Sequence, residues 1–330
     1  MILIPQALVL HDDVIPPESF TKLGRAADDT PIQLQIHLVS RNLTGLEWVL
    51  ADIAEPTRPG YGRWLSREQV QHHLAPTKEK TVLVSAWLAA YNITETDASS
   101  AGDWVLFNTT VQRANEMLAA DYSVYVHAKI QSTGQYLRTP RYSLPAALKS
   151  THIRLIHPTT SFVGPAISSL IPIRQLGGKQ GHPCTSAAKS STCRDSVNAP
   201  QGVVTPTCLQ SPYNVTLGAL PPLFAASGRP NRIAVTSFGN QYASQLRCVD
   251  VWTIGRGRHA AYGSPERNLD TQYVGALTGG TDTEVVFISA GRSNDALSGF
   301  LDLARALLGD DDTPDVISTS YGFDGENRIG

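Results

Sequence analysis

The sequence predicts two domains of different class in tandem: an α+β domain of about 150 residues, then a parallel α/β sheet. Three observations lead there. In the first half, strands of period two are split by helices and have short antiparallel neighbours. Between Ser161 and Pro200 the composition turns to Gly, Pro, Ser, Thr and Lys. Beyond that stretch the order is strand, helix, strand, helix, strand, which implies parallel strands joined by right-handed crossovers.

Each element follows from local pattern. From Ile32 the run Ile-Gln-Leu-Gln-Ile-His-Leu-Val alternates as a strand. Leu43, Leu46, Val49, Leu50 and Ile53 recur at helical spacing until the prolines and glycine of Pro56 to Tyr61 stop the helix. Ser66 with Gln69 forms a capping box for a helix over Arg67 to Leu74. Pro76-Thr77 opens a third helix with Val82, Leu83, Val84, Trp87, Leu88 and Tyr91 on its apolar face. Trp104 to Phe107 reads as a short strand, and Thr110 caps a helix from Val111 to Ala120. Tyr122 to Ala128 alternates, with Gly134 to Arg138 as its partner. Leu144 to Leu148 reads as one or two helical turns, and Ile153 to Ile156 closes the domain as a strand.

The Gly- and Ser-rich stretch is an exposed linker of roughly 40 residues, open to nicking at Lys179, Lys189 or Arg194. After it come a strand from Arg232 to Phe238, a buried strand from Glu284 to Ser289, a helix from Phe300 to Leu308 and a strand from Asp315 to Ser320.

Bulk properties exclude several classes. With 42% hydrophobic and 17% charged residues the chain is globular rather than disordered. A net charge of −2 gives no reason to expect nucleic acid or an anionic membrane as partner. No apolar run approaches the roughly 20 residues of a membrane span. Met1 to Leu10 is apolar without a basic start or a clear cleavage site, at best a damaged signal peptide. Asn42, Asn92, Asn108 and Asn214 each head a glycosylation sequon, which favours secretion. Cys184, Cys193, Cys208 and Cys248 fall in one window without a C-x-x-C pair, so two disulfides are expected, in any of three pairings.

One helix carries a candidate for chemistry. Ser264 is a good N-cap, Pro265 suits the first helical position, and the helix continues through Leu269, Tyr273, Val274 and Leu277. Glu266 and Asp270 lie four apart, so both carboxylates project from one face. Buried together, such a pair shares a proton and supplies a base with its orienting partner; on a solvated face it is a mild repulsion.

Five blocks, in order, add a family resemblance. Tyr61-Gly62-Arg63-Trp64-Leu65-Ser66 resembles the Tyr-Gly-x-x-Leu-Ser of the sedolisin activation domain, and Ile153 to Thr160 that domain's closing strand. Val204 to Leu209 with Tyr213-Asn214-Val215 resembles the entry to the sedolisin catalytic domain. Glu266 to Tyr273 resembles the Glu-x-x-Leu-Asp-x-Gln-Tyr helix of these serine-carboxyl peptidases, and Asp315 to Gly322 their Val-x-Ser-x-Ser-Tyr-Gly strand. The resemblance implies a secreted zymogen. Residues 14–162 would be a ferredoxin-like activation domain that inhibits in cis, after an unassigned segment 1–13. Residues 163–199 would be the linker with the processing site, and 200–330 the N-terminal part of a subtilisin-like peptidase domain.

Glu266 would then be general base and Asp270 its polarising partner, with Ser320, Tyr321 and Gly322 along the peptide substrate. A carboxylate base stays ionised in acid where a histidine would not. The Gly-Thr-Ser-x-Ser nucleophile block and the Ser-Gly-Asp oxyanion block are absent from the 330 residues, as are the ligands of the family's calcium ion, Ca2+. The expectation is a proenzyme truncated before its nucleophile and inactive as written. The full-length form would be a tripeptidyl-peptidase, or alternatively an endopeptidase of the same family. The competing class is a non-catalytic inhibitor or folding aid acting in trans. The Gln71-His72-His73 pair lacks a third metal ligand nearby, and Asp310-Asp311-Asp312 reads as a solvated turn.

Overall fold

The structure is a computed structural model that describes residues 7–128, 134–163, 230–238, 250–254, 265–278, 283–290, 296–310 and 312–321. It divides into two compact units, Met1–Gly164 and, in the main, Pro165–Ala304 with Asp310–Asp324.

The first unit contains strands β1 (Leu8–Asp13), β2 (Phe20–Arg25) and β3 (Pro31–Leu38), helices α1 (Leu43–Ala54), α2 (Arg67–Leu74) and α3 (Lys78–Ala90), and strands β4 (Asp97–Ala98) and β5 (Trp104–Thr110). Helix α4 (Val111–Leu118) and strands β6 (Ser123–His127), β7 (Tyr136–Arg138), β8 (Arg141–Pro145) and β9 (Ile153–His157) complete it. The principal sheet has the order β4-β5-β3-β9, and every neighbouring pair in it is antiparallel.

Alternation in β3 builds the core. Ile32, Leu34, Ile36 and Leu38 are all buried against Phe107, Ile153 and Ile156 of the flanking strands. Val84, Trp87 and Leu88 of α3, and Val111, Ala114, Met117 and Leu118 of α4, close over them. Helix α4 ends at Ala119, whose φ of 45° is left-handed and lets the Ala120 N–H turn back to the Asn115 carbonyl. Two tyrosines pin the sheet to its surroundings: Tyr122 donates to the Pro158 carbonyl at 2.6 Å, and the Tyr142 hydroxyl accepts from the Ile156 N–H at 3.2 Å. Burial pushes both phenols above the ordinary tyrosine range.

The expected caps form. Ser66 and Gln69 exchange hydrogen bonds as a capping box, Thr77 caps α3 and Thr110 caps α4. Two elements differ. Leu144 does not start a helical turn; it lies in β8, which pairs with β1 from Leu8↔Pro145 to Asp13↔Arg141. A short strand whose partner is 130 residues away leaves no local signal, and Tyr142 and Leu144, both buried, supply the alternation. Strand β5 runs three residues beyond Phe107, because Asn108, Thr109 and Thr110 continue the ladder opposite Gln33, Ile32 and Pro31.

The second unit contains β10 (Asn231–Phe238), β11 (Asp250–Ile254), α5 (Pro265–Thr278), β12 (Thr283–Ala290), α6 (Ala296–Gly309) and β13 (Val316–Ser318). Its strands are all parallel, in the order β11-β12-β10-β13. Burial of every residue from Val285 to Ala290 fits a strand covered on both faces. Val274 of α5 packs on Val235, Val285 and Phe287. On the other side Phe300 of α6 stacks on Phe238, which strand alternation sets on the face opposite Val235.

This has a topological consequence. The steps from β11 to β12 and from β12 to β13 cross the sheet in the same direction, yet α5 and α6 lie on opposite faces. The two crossovers therefore have opposite hands. One is left-handed, against the expectation of right-handed crossovers throughout. The apolar side of α5 is matched to the Val235 face, and that packing outweighs the twist preference.

Arg232 fastens the amino edge of this sheet. Its side chain is 8% exposed; Nε lies 2.7 Å from Glu284 and Nη1 2.8 Å from Asp312. Its backbone N–H donates to the Asp315 carboxylate at 2.8 Å, and its carbonyl accepts from the Asp315 N–H.

Candidate active site

Topology sets the candidate residues before any side chain is considered. Helix α5 follows β11 and precedes β12 in a parallel sheet, so its first turn starts at the carboxyl edge. Strand β13 ends at that same edge, and Ser320 and Tyr321 follow it directly. The connection after β10 runs toward β11, while that after β12 runs past β10 to β13. The strand order thus reverses between β10 and β13, the place where open α/β sheets bind ligands beyond their carboxyl ends.

Glu266 and Asp270 are both on α5, one turn apart. Asp270 is half-buried, with Oδ2 shielded from solvent. It stands one turn before Val274, which packs on the sheet. The side chain of Glu266 and the capping residue Ser264 lie outside the described residues.

Past β13 the backbone is tied to β10. The Thr236 hydroxyl is 2.8 Å from that of Thr319 and donates to the Ser318 carbonyl at 3.4 Å. Ser320 is exposed and Tyr321 half-buried; Gly322 lies outside the described residues. Among the described strands β13 pairs with β10 alone.

The remaining candidates resolve into structural roles. His73 Nδ1 sits 3.3 Å from the Asn42 carbonyl, at the junction of α1 and α2. No three His, Cys, Asp or Glu among the described residues could hold a metal ion, so the calcium implied by the resemblance has no ligand set among them. Asp312 is exposed, as expected of a solvated turn, and its carboxylate also accepts from the buried Arg232. Arg232 itself had no local signal, because its partners lie 52 and 80 residues on. Asn42 caps α1 through the Gly45 N–H, Asn92 sits exposed in a left-handed turn with φ 58°, and Asn108 is exposed on β5. Asn214, the four cysteines, Lys179, Lys189 and Arg194 lie outside the described residues.

The first unit carries one titrating side chain with a clear pH consequence. His37 stacks on Trp104, its cross-strand partner, with ring centroids 4.5 Å apart and planes 6° from parallel. Burial holds its pKa below the ordinary value; Asp103 opposes this and Arg154 adds to it. Between that depressed value and the unfolded one, about 6.5, the unfolded chain binds the extra proton. Stability therefore rises with pH across that window, and the loss is complete below the folded pKa. His37→Gln is expected to remove this part of the pH dependence when melting of the intact protein is followed from pH 7 to pH 5. An unchanged profile would move the acid sensitivity elsewhere.

Comparison with known proteins supplies the class first. Residues 18–162 match the family described as Pro-kumamolisin, activation domain, so the first unit is similar to the propeptide of sedolisin-type peptidases. The particular relatives extend this over most of the chain. It is 26% identical over 341 residues to tripeptidyl-peptidase SED3 of Arthroderma otae, covering 93% of this chain and 53% of that protein. It is 27% identical to tripeptidyl-peptidase SED2 of the same fungus, covering 93% and 54%. To a probable tripeptidyl-peptidase SED3 of Trichophyton verrucosum it is 26% identical, covering 95% and 55%. The chain spans about half the length of the curated relatives it matches. Both comparisons agree with the sedolisin resemblance of the five sequence blocks.

Proposed function

We propose that these residues belong to a secreted, acid-acting serine peptidase zymogen that releases tripeptides from free N-termini. The observation that carries the proposal is the shared carboxyl edge: the helix of Glu266 and Asp270 begins where Ser320 and Tyr321 leave the sheet. A base and a peptide-binding segment must face one scissile bond, and this edge allows both to do so.

In the proposed chemistry the Glu266 carboxylate takes the proton of a serine hydroxyl as its oxygen attacks the peptide carbonyl. It returns that proton to the departing amine as the C–N bond breaks, leaving an acyl-enzyme that water hydrolyses by the reverse transfers. Asp270 orients and polarises Glu266. Ser320, Tyr321 and Gly322, which follow β13, pair with the substrate backbone. None of the 330 residues is assigned as nucleophile or as oxyanion donor.

The succession β3, α1 to α3, β4, β5, α4, β9, in the sheet order β4-β5-β3-β9, supports a ferredoxin-like activation domain acting as intramolecular inhibitor. The parallel order β11-β12-β10-β13 with helices on both faces supports a subtilisin-like peptidase domain. Calcium is proposed as a structural ion of the active enzyme.

The full-length natural protein, incubated at pH 4 with matched free and N-acetylated peptides, tests this by mass spectrometry. Tripeptide release from the free peptide alone is the expected result. Internal cleavage of both peptides would point to the endopeptidase, and cleavage of neither would overturn the proposal.

A further inference from the structure

Tyr321 is held by two rings that the proposed chemistry does not use. Phe238, at the end of β10, is fully buried and stacks on Phe300 of α6 at 3.9 Å between centroids and 15° between planes. The Tyr321 ring stands edge-on to both, 5.5 Å and 83° from Phe238 and 5.7 Å and 77° from Phe300. These are the offset-stacked and T-shaped arrangements that aromatic quadrupoles favour. One ring thus comes from a strand, one from a helix, and the third from the segment that leaves β13.

The approach of α6 that permits the stack depends on Gly299. A Cβ there would lie 3.0 Å from Phe238 Cδ1 and 3.1 Å from the Ala290 carbonyl oxygen, a backbone atom that cannot turn aside. The Thr236 hydroxyl ties the same segment at Thr319 and Ser318, two and three residues before Tyr321. The chain after β13 is therefore anchored through Thr319 and Tyr321, while Ser320 between them is exposed.

We infer that Phe300 is a positioning residue for peptide binding: through its contact with Tyr321 it fixes the backbone of Ser320 and Tyr321 in the extended form that a substrate strand pairs with. This rests on the proposed peptidase function and adds a determinant of substrate affinity outside the substrate-contacting residues. Phe300 itself touches neither substrate nor reacting atoms. An edge strand binds a peptide through backbone groups held at fixed spacing, so losing the anchor costs affinity before it costs chemistry. The effect belongs in KM, with kcat little changed.

The test is a kinetic comparison, on the full-length natural enzyme at pH 4, of wild type, Phe300→Leu, Phe300→Tyr and Tyr321→Leu. Leucine at 300 keeps apolar bulk and loses the stack; tyrosine at 300 keeps the ring. A rise in KM of about three- to tenfold for Phe300→Leu, matching the range for aromatic pairs, with kcat within about twofold and recovery in Phe300→Tyr, is the expected outcome. Tyr321→Leu removes the same contact from the segment side and should reproduce the KM rise even where Phe300→Leu fails to fold. An active wild type whose KM is unmoved by both leucine variants overturns the inference alone. A wild type without acid peptidase activity overturns the proposed function and this inference with it.

Discussion

Glu266→Gln is expected to lower kcat by about 10²- to 10⁴-fold, the usual contribution of a general base, and to abolish self-processing of the zymogen. Glutamine preserves the size of the side chain and can accept a hydrogen bond, but it cannot take the serine proton. Asp270→Asn should cost less, because it weakens the partner rather than the base. Single-turnover kinetics at pH 4 separate the two: the glutamine variant loses the chemical step, while the asparagine variant slows it. Processing at the wild-type rate in Glu266→Gln would remove the catalytic role from that residue. The helix that carries both positions starts at the carboxyl edge of the sheet, so its N-terminal partial positive charge also favours an ionised carboxylate there.

Arg232→Ala is expected to destabilise the second unit by about 3 kcal/mol, the lower end for breaking a buried ion pair. The guanidinium is 8% exposed and bridges Glu284 and Asp312, whose side chains are 32% and 65% exposed. Those carboxylates can rehydrate when the arginine is removed, which keeps the loss from the upper end of the range. The rest is the packing of the arginine stem and the geometry of the Asp310 to Asp315 loop, which hydrogen-bonds the start of β10 through Asp315 and Arg232. Arg232→Met, which restores the apolar stem, should recover part of it. Urea unfolding of the intact protein followed by tryptophan fluorescence measures both; a loss below about 1 kcal/mol for the alanine variant would mean that the bridge is no more than a surface ion pair.

Much of this fold is legible because its signals are local. Alternation from Ile32 to Leu38 defines the central strand, and Ser66, Thr77 and Thr110 each bind an N–H at the start of their helix. The run Val285 to Ala290 is apolar because parallel strands are covered on both faces. Other elements have no such signal. Strand β1 is defined only where Leu8–Asp13 meets Arg141–Pro145, and β11 only where Asp250–Ile254 meets β12. Asp312 is solvated as its turn suggests, but its ion pair has no local signal: the arginine that binds it is 80 residues earlier.

The sequence by itself determined which residues are candidates for the proposed chemistry: two carboxylates one helical turn apart, and a Ser-Tyr-Gly segment after an apolar strand. Side-chain type and short-range spacing suffice for that, because a helix places positions 266 and 270 on one face wherever it lies. Only the tertiary structure decided that the two motifs share an edge, that the two crossovers have opposite hands, and that Phe238 and Phe300 hold Tyr321. These depend on strand order and on which helix face packs where, quantities set by contacts between residues tens of positions apart, which no local window contains.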